Sequence, residues 1–377
     1  MPERIRKTVE AVPSASLSIR DITDEARNLA DFAAHERIVL GEDRQRGLTA
    51  IVAIHSTVLG PALGGTRIWP FPTRGDALTD VLRLSHGMTL KAAISELPLG
   101  GGKAVIVADP RTGKTPQMLE AYTEMLATLT ESFITAEDVG MTLDDADFLR
   151  ARTPNVTGTS IGGSGNPSPI TAEGVFLGLK TAVQRRFGSD TLDGLRIAVQ
   201  GLGAVGWSLC EKLHAAGAKL VVTDIDTRRV EAAVTEFGAR KTAPDAILTA
   251  DADVFAPCAL GGVLSEQTIP GLKATVVAGS ANNQLARPQD AKRLKSRGIL
   301  YAPDYLINAG GLINVAAELA PGGYDRDAAF AKVREIPVTL TRIFDRAEET
   351  GATTGEVART IAEERIAAAL RKRQAAA

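Results

Sequence analysis

Cysteine is nearly absent: Cys210 and Cys258 are the only two among 377 residues, and neither belongs to a C-x-x-C pair. A disulfide framework has no material here, and a reducing compartment is the setting that fits. No apolar run opens the chain as a secretory signal would, and none reaches the length of a spanning helix, so a cytoplasmic protein is expected. Neither sign of charge dominates, since 43 Lys and Arg face 45 Asp and Glu for a formal net charge of -2. That balance gives no electrostatic drive toward nucleic acid or membrane and leaves a small molecule as the expected partner. The four histidines, His35, His55, His86 and His214, are scattered without metal-ligand spacing, so no metal is expected. No internal repeat is present.

What is there is apolar material for a large core, 44% of the residues, on a chain too long for one typical domain. The first ~20 residues are polar and irregular and are expected to fray. From there to about residue 155, strand-like runs at 48–57 and 103–109 mix with helix-like stretches at 76–86 and 115–130, which reads as one α/β unit. Residues 158–171, GTSIGGSGNPSPIT, hold four glycines and two prolines, and the interdomain hinge is placed there. A helix is expected at about 171–187. Strands and helices alternate from 195 to about 305, as in βαβ crossovers around a parallel sheet, and beyond residue 311 the chain looks helical to its end.

The clearest local signal is RIAVQ (196–200) running into GLGAVG (201–206), followed by a helix that stops at Gly217 and the strand AKLVVTD ending at Asp224. Gly201 permits the tight turn, Gly203 lets backbone approach a pyrophosphate, and Gly206 lets helix pack on strand. Ala204 and Val205 open the helix, whose N-terminus favours phosphate charge. Asp224 stands where an acid binds the adenosine ribose 2′-hydroxyl, which favours NAD over NADP. Arg228 and Arg229 lie close by and keep NADP open, although as residues opening a helix they read more simply as solvated charges.

A second signal is LKAAISELPLGGGKAVIVADP (90–110), in which Lys91 and Lys103 stand twelve positions apart and three glycines precede the second. A phosphate loop would need a hydroxyl after the lysine, and Ala104 is there. Glycines beside a lysine at the start of an apolar strand suggest an ammonium surrounded by backbone, and a buried lysine can serve as a base. Asp138, in FITAEDVGMT (133–142), ends an apolar stretch before a glycine. Taken alone it is a turn acid, and Lys91 alone a helix-surface charge. Together a Lys/Lys/Asp set supplies what oxidative deamination asks of a protein besides a nicotinamide: a carboxylate clamp, a base for water, and a carboxyl that moves protons at nitrogen.

With GPALGGTR (60–67), TAEDVG (135–140), GNPSP (165–169), APCALGG (256–262), NNQL (282–285) and NAGG (308–311), these motifs resemble the glutamate/leucine/phenylalanine/valine dehydrogenase superfamily, in order and spacing, from about residue 30 onward. Its leucine-acting branch is the most similar. The resemblance implies Lys91 on the substrate carboxylate, with Gly64 backbone near it, Lys103 as catalytic lysine and Asp138 as proton-transferring acid. It places Thr171 and Asn282 near the nicotinamide amide, Cys258 and Ala259 along the cofactor, and Asn308 near the cleft. It also implies a substrate-binding and oligomerisation domain at 1–157, joined by returning helices at about 345–377, and a Rossmann NAD-binding domain at 158–344, the two around a closing cleft. A homo-oligomer, from dimer to octamer, follows from the same resemblance.

Members acting on glutamate resemble GPYKGG where Leu63 stands here, and carry serine where Val315 stands. Burying a side-chain carboxylate against those two apolar residues would cost several kcal/mol, so glutamate is disfavoured. Leu63, Ala136, Leu312 and Val315 are expected to form an aliphatic pocket for a branched-chain L-amino acid. Phenylalanine or another apolar amino acid stays open, because one methylene changes discrimination by only ~1–3 kcal/mol. A 2-hydroxyacid dehydrogenase would need an Arg and a His–carboxylate pair, which are not near the lysines. A noncatalytic dinucleotide sensor would be expected to have lost one of Lys91, Lys103 or Asp138.

Overall fold

The computed structural model describes residues 14–376. The frayed start expected of the sequence falls largely outside that range, and strand β1 (Ser18–Asp21) already begins within it. Two compact units follow, one built from residues up to Asn166 with Asn314–Arg326 and the stretch from Ala362, the other from Pro167–Ile313 and Asp327–Ile361.

The first unit starts with β1, α1 (Thr23–Ala26), β2 (Arg37–Asp43), β3 (Leu48–Ser56), β4 (Ala62–Leu63), β5 (Thr66–Trp69) and α2 (Arg74–Ile94). It continues through β6 (Gly100–Val107), α3 (Pro116–Ala127), β7 (Phe133–Ile134) and α4 (Leu143–Arg150). The sheet runs β1-β2-β3-β6-β4-β7, with β5 also on β6. β1, β2, β3 and β6 pair antiparallel, whereas β4 and β5 run parallel to β6. Alternation sends Ile51, Ala53 and Val105 toward Ala77, Val81 and Leu82 of α2. Ala50, Val52, Ala104 and Ile106 face Met118, Tyr122 and Met125 of α3 on the other side. Both faces are thus covered by helices. Thr73 opens α2 with a reciprocal capping box, its hydroxyl accepting from the Asp76 N–H and Asp76 accepting in return, which explains where the 21-residue helix begins.

The second unit carries α5 (Ser168–Phe187), β8 (Arg196–Gln200), α6 (Ala204–Ala215), β9 (Lys219–Thr223), α7 (Thr227–Phe237), β10 (Arg240–Lys241), β11 (Val254–Pro257) and β12 (Val276–Val277). Next along the chain come α8 (Asp290–Ser296), β13 (Leu300–Tyr301), α9 (Asp304–Ile307), α10 (Gly310–Ala317), α11 (Arg326–Val333), α12 (Ile336–Thr350) and α13 (Thr354–Ala376), of which α10 from Asn314 and α13 from Ala362 lie in the first unit. Its six strands pair in parallel in the order β10-β9-β8-β11-β12-β13. β8 sits between β9 and β11, so the strand order reverses beside it, the usual crevice for a ligand in such sheets.

Two expected boundaries move. The glycine-rich stretch from residue 158 belongs to the first unit, because the Glu318 carboxylate accepts from the N–H groups of Gly158 at 2.8 Å and Ser164 at 2.7 Å. The crossing therefore falls at Asn166/Pro167 rather than at 157/158. The return at about 345 is also displaced: Leu340 and Ile336 of α12 lie against Gly178 and Gly174 of α5, inside the second unit. Only from Ala362 does α13 join the first, where the Arg365 guanidinium donates to the carbonyls of Ala92, Ala93 and Leu97 at the end of α2.

Candidate active site

Lys103 lies in the middle of β6, paired opposite Ala53, and is only 6% exposed. The three glycines before it belong to the strand and do not wrap the ammonium, which corrects the expectation drawn from them. Their reason is packing. A Cβ at Gly101 would stand 2.1 Å from the Thr89 backbone nitrogen, so the missing side chain is what lets α2 lie directly on β6. A Cβ at Gly64 would stand 1.8 Å from the Gly102 carbonyl, and the Gly64 N–H is already given to the Ile134 carbonyl at 3.1 Å. Gly64 therefore offers close approach of two strands rather than a free donor.

What faces the Lys103 ammonium is a carboxylate. Its Nζ is 2.7 Å from Asp138 Oδ2, and Arg67 Nε approaches the same oxygen at 3.3 Å. That oxygen is buried, and neither cation reaches it along an aligned hydrogen bond, so the attraction is chiefly one of charge. Burial alone would raise the Asp138 carboxyl. The charges of Lys103 and Arg67, helped by the Val139 N–H, outweigh it and hold the group down at about 2. Asp138 is thus a carboxylate at neutral pH. Its neighbour Glu137 is shifted the other way, raised by burial and then by the Asp138 charge.

Arg67 was not singled out from the sequence, although GGTR contains it. The available signal was a lone charge within the strand TRIW. Its second anchor, Asp80 on α2 at 2.9 Å from Nη1, has no local signal at all. Lys91 is half-buried near the C-terminal end of α2, two residues beyond the Thr89 contact.

Of the four residues expected to form one aliphatic pocket, Leu63, Ala136 and Val315 belong to the first unit and Leu312 to the second. A Cβ at Gly158 would meet Val315 Cγ1 at 3.5 Å and Ala136 Cβ at 3.9 Å, so those two lie on either side of one small gap in the first unit. Leu63 is fully buried in β4 of that unit. Leu312, 7% exposed, and Asn308, 5% exposed, belong to the second.

The glycine turn of the second unit is closed at two of its glycines and open at the third. Gly201 has a φ of 97°, and a Cβ there would press on Cys258 and Ala259 at 2.9 Å. A Cβ at Gly206 would strike the Gly201 carbonyl at 2.0 Å, whereas at Gly203 it would meet nothing nearer than Arg229 Nη1 at 3.8 Å. Space is therefore left only at Gly203, the N-cap of α6, where Ala204 and Val205 begin the helix and its first amides have no partner within it. These residues fit a pyrophosphate. Asp224 accepts from the N–H of Leu202 at 2.6 Å and of Asp226 at 2.8 Å, which fixes its carboxylate beside the turn. Arg228 is 90% exposed along its side chain and paired with Asp226. Burial raises the Cys258 thiol, with Ser280 acting against it. Asn308 Nδ2 donates to Asn282 Oδ1 at 2.9 Å and to the Ser280 carbonyl at 3.1 Å, while the Thr171 hydroxyl, donating to the Pro167 carbonyl, would lie 3.0 Å from a Cβ at Gly311.

The histidines are less scattered than they look in sequence. β3 and α2 bring His35, His55 and His86 into one stack with ring centroids 4.8 and 4.6 Å apart. Burial, aided by neighbouring rings, lowers His55 to about 3 and His35 to about 4. Among the described residues no group of three or more His, Cys, Asp or Glu could hold a metal, and no helix is long and apolar enough to cross a membrane.

Comparison with known proteins agrees with this arrangement. Residues 34–155 match the Glu/Leu/Phe/Val dehydrogenase dimerisation domain, and residues 162–228 and 222–374 match the Glutamate/Leucine/Phenylalanine/Valine dehydrogenase domain. The chain is 50% identical to leucine dehydrogenase of Geobacillus stearothermophilus over 334 residues, 88% of this chain and 90% of that protein. It is 48% identical to L-tryptophan dehydrogenase of Nostoc punctiforme over 343 residues, 91% of this chain and 96% of that one. A crystal structure of L-tryptophan dehydrogenase from the same organism superposes with a TM-score of 0.79 at 46% identity, covering 92% of this chain and 99% of that one. The chain belongs to the glutamate/leucine/phenylalanine/valine dehydrogenase family and is an amino-acid dehydrogenase.

Proposed function

We propose that the protein catalyses the NAD-dependent, reversible oxidative deamination of a branched-chain L-amino acid to its 2-oxo acid and ammonia. The observation that carries the chemistry is the Lys103–Asp138 pair at 2.7 Å, the lysine buried in β6 and the carboxylate on the segment after β7. A nicotinamide dinucleotide, when bound at the glycine turn, supplies the hydride acceptor. Lys91 holds the substrate carboxylate. Asp138, held as a carboxylate, starts as the proton acceptor at the substrate nitrogen rather than as an acid, and returns that proton as ammonia leaves. Lys103 is the base for the water that adds to the imine carbon. Asp224 favours NAD by its charge, which would repel a 2′-phosphate.

The substrate class rests on Ala136 and Val315 beside Gly158, with Leu63 in place of a cation, all apolar. As in the family, a homo-oligomer formed through the first unit is the expected working form. The test is reductive amination with NADH or NADPH and ammonia against a panel of 2-oxo acids. 4-Methyl-2-oxopentanoate and 3-methyl-2-oxobutanoate should be used far better than 2-oxoglutarate, and NADH better than NADPH. A highest kcat/KM for 2-oxoglutarate would refute the pocket. An aromatic 2-oxo acid in first place would move the assignment toward the tryptophan-acting relative.

A further inference from the structure

We propose that Arg67 is a positioning residue that keeps Asp138 a carboxylate when Lys103 gives up its proton, so that Asp138 stays able to accept one from the substrate nitrogen. The inference rests on the reading of Lys103 and Asp138 as the reacting pair. One carboxylate oxygen, Asp138 Oδ2, faces two cations, Lys103 Nζ at 2.7 Å and Arg67 Nε at 3.3 Å. The two cations differ in kind. A lysine can give up its proton, whereas a guanidinium stays charged at any working pH.

The fold determines this convergence. β5 and β6 run side by side with Arg67 opposite Val105, so Arg67 and Lys103 project from the same face of neighbouring strands. Asp80 holds Arg67 Nη1 at 2.9 Å from α2, above that face. If Arg67 served only to tie α2 to β5, Asp80 alone would complete the tie. Its Nε is spent instead on the oxygen that Lys103 also faces.

The consequence is chemical. Were Lys103 the sole counter-charge, removing its proton would leave a buried anion uncompensated, and the cheapest escape would be proton transfer within the pair to Asp138. That would leave a neutral lysine beside a protonated acid, with no acceptor for the substrate nitrogen. A permanent charge from Arg67 removes that escape. The other ionisable groups around the site are Glu137 on the same segment, Lys91 and Asp80 on α2, and Lys114, which reaches the Gly140 carbonyl at 3.4 Å and pairs with Asp145. Of these groups and Arg67, only Arg67 carries a charge that no working pH removes, and it stands within ion-pair distance of Asp138.

The test uses the full-length protein and the best amino acid of the panel, with kcat and KM followed from about pH 7 to about 11. In Arg67→Gln and Arg67→Met the alkaline rise of kcat should move up by about one pH unit, with a roughly tenfold loss below the midpoint and little change in KM. Arg67→Lys, which keeps a charge, should hold the midpoint near that of the unmutated enzyme. Either neutral variant suffices if the other fails to fold. Neutral variants whose profile superimposes on the unmutated one, even with a lower Tm, would leave Arg67 a plain structural tie and overturn the proposal. So would a lysine variant displaced as far as the glutamine one. A Lys103→Ala enzyme with near-normal kcat would instead withdraw the reading of the pair itself, so the two failures are distinguishable.

Discussion

Gly101→Ala should damage the substrate site without touching the cofactor turn. The added Cβ would stand 2.1 Å from the Thr89 nitrogen and 2.5 Å from its Cα, both backbone atoms of a long helix. Ordinary contact begins near ~3.4 Å, so α2 and β6 must separate by roughly 1.3 Å at that point. Lys91 lies two residues beyond Thr89 on α2, and Lys103 two residues beyond Gly101 on β6, so the separation changes the spacing of the proposed clamp and the proposed base directly. A misplacement of ~1 Å can cost ~10²-fold in rate, and overpacking of this kind costs about 1–3 kcal/mol of stability. The gain of about 0.4–1 kcal/mol from a stiffer unfolded chain does not offset it. Gly87→Ala is the control. A Cβ there meets nothing within 4 Å on the same helix, and the replacement should leave kcat/KM alone while raising stability slightly, by up to ~1 kcal/mol. Steady-state kinetics with the amino acid varied, NADH binding by fluorescence and thermal melts of both variants decide the matter. Unchanged kcat/KM in Gly101→Ala would refute the argument that this contact sets the lysine spacing.

Asp138→Asn removes a carboxylate whose pKa falls from 3.8 to about 2 on folding, which corresponds to about 2 kcal/mol at neutral pH. Because the folded value is the lower one, that stability is present above the ordinary carboxylate range and is lost as pH falls through about 2. Urea melts should therefore show a gap between the two proteins at pH 7 that narrows by roughly half near pH 3, and a gap of equal size at both would contradict the ion-pair account. Lys103→Ala should lower kcat by ~10²-fold or more with NADH binding intact, whereas Lys91→Ala should mainly raise the KM for the amino acid. Equal effects of the two lysines on KM would remove the division between base and clamp.

The second unit's cradle was legible from the chain because its geometry is local. The positive φ of Gly201, the pressure of Gly206 on the Gly201 carbonyl and the Asp224 bond to Leu202 all close within one strand–turn–helix–strand passage. The first unit's site was legible only as a set of residue types. Lys103 and Asp138 were both singled out, yet their partnership depends on β6 and the segment after β7 lying near one another across β4, which is a matter of strand order. Arg67 was missed for the same reason, since a strand arginine acquires its meaning from the register of β5 on β6. Glycines 100–102 were read as room for an ammonium because the Ser56 carbonyl on Gly100, the helix on Gly101 and the Phe133 ring on Gly102 cannot be seen from composition. The histidine stack and the Glu318 clamp on the residue-158 stretch likewise join segments far apart in the chain.

Substrate choice depends on such long-range placement most of all, which is why it was the least legible property. Resemblance alone put Leu63, Ala136, Leu312 and Val315 into one pocket; Ala136 and Val315 meet at Gly158, where the absence of a side chain keeps a gap between them. Gly158 is in turn fixed there by the Glu318 carboxylate on its N–H, and Glu318 lies three residues after Val315 at the end of the segment that α10 begins. One short stretch, 315–318, thus supplies both an apolar wall and the anchor that sets the opposite edge. A change of side chain at residue 315 alters the size of the gap, whereas a change at 318 alters whether the gap has a fixed size at all. On the proposed substrate reading, discrimination among leucine, valine and larger apolar side chains would follow the seating of this stretch as much as the volume of any one wall residue.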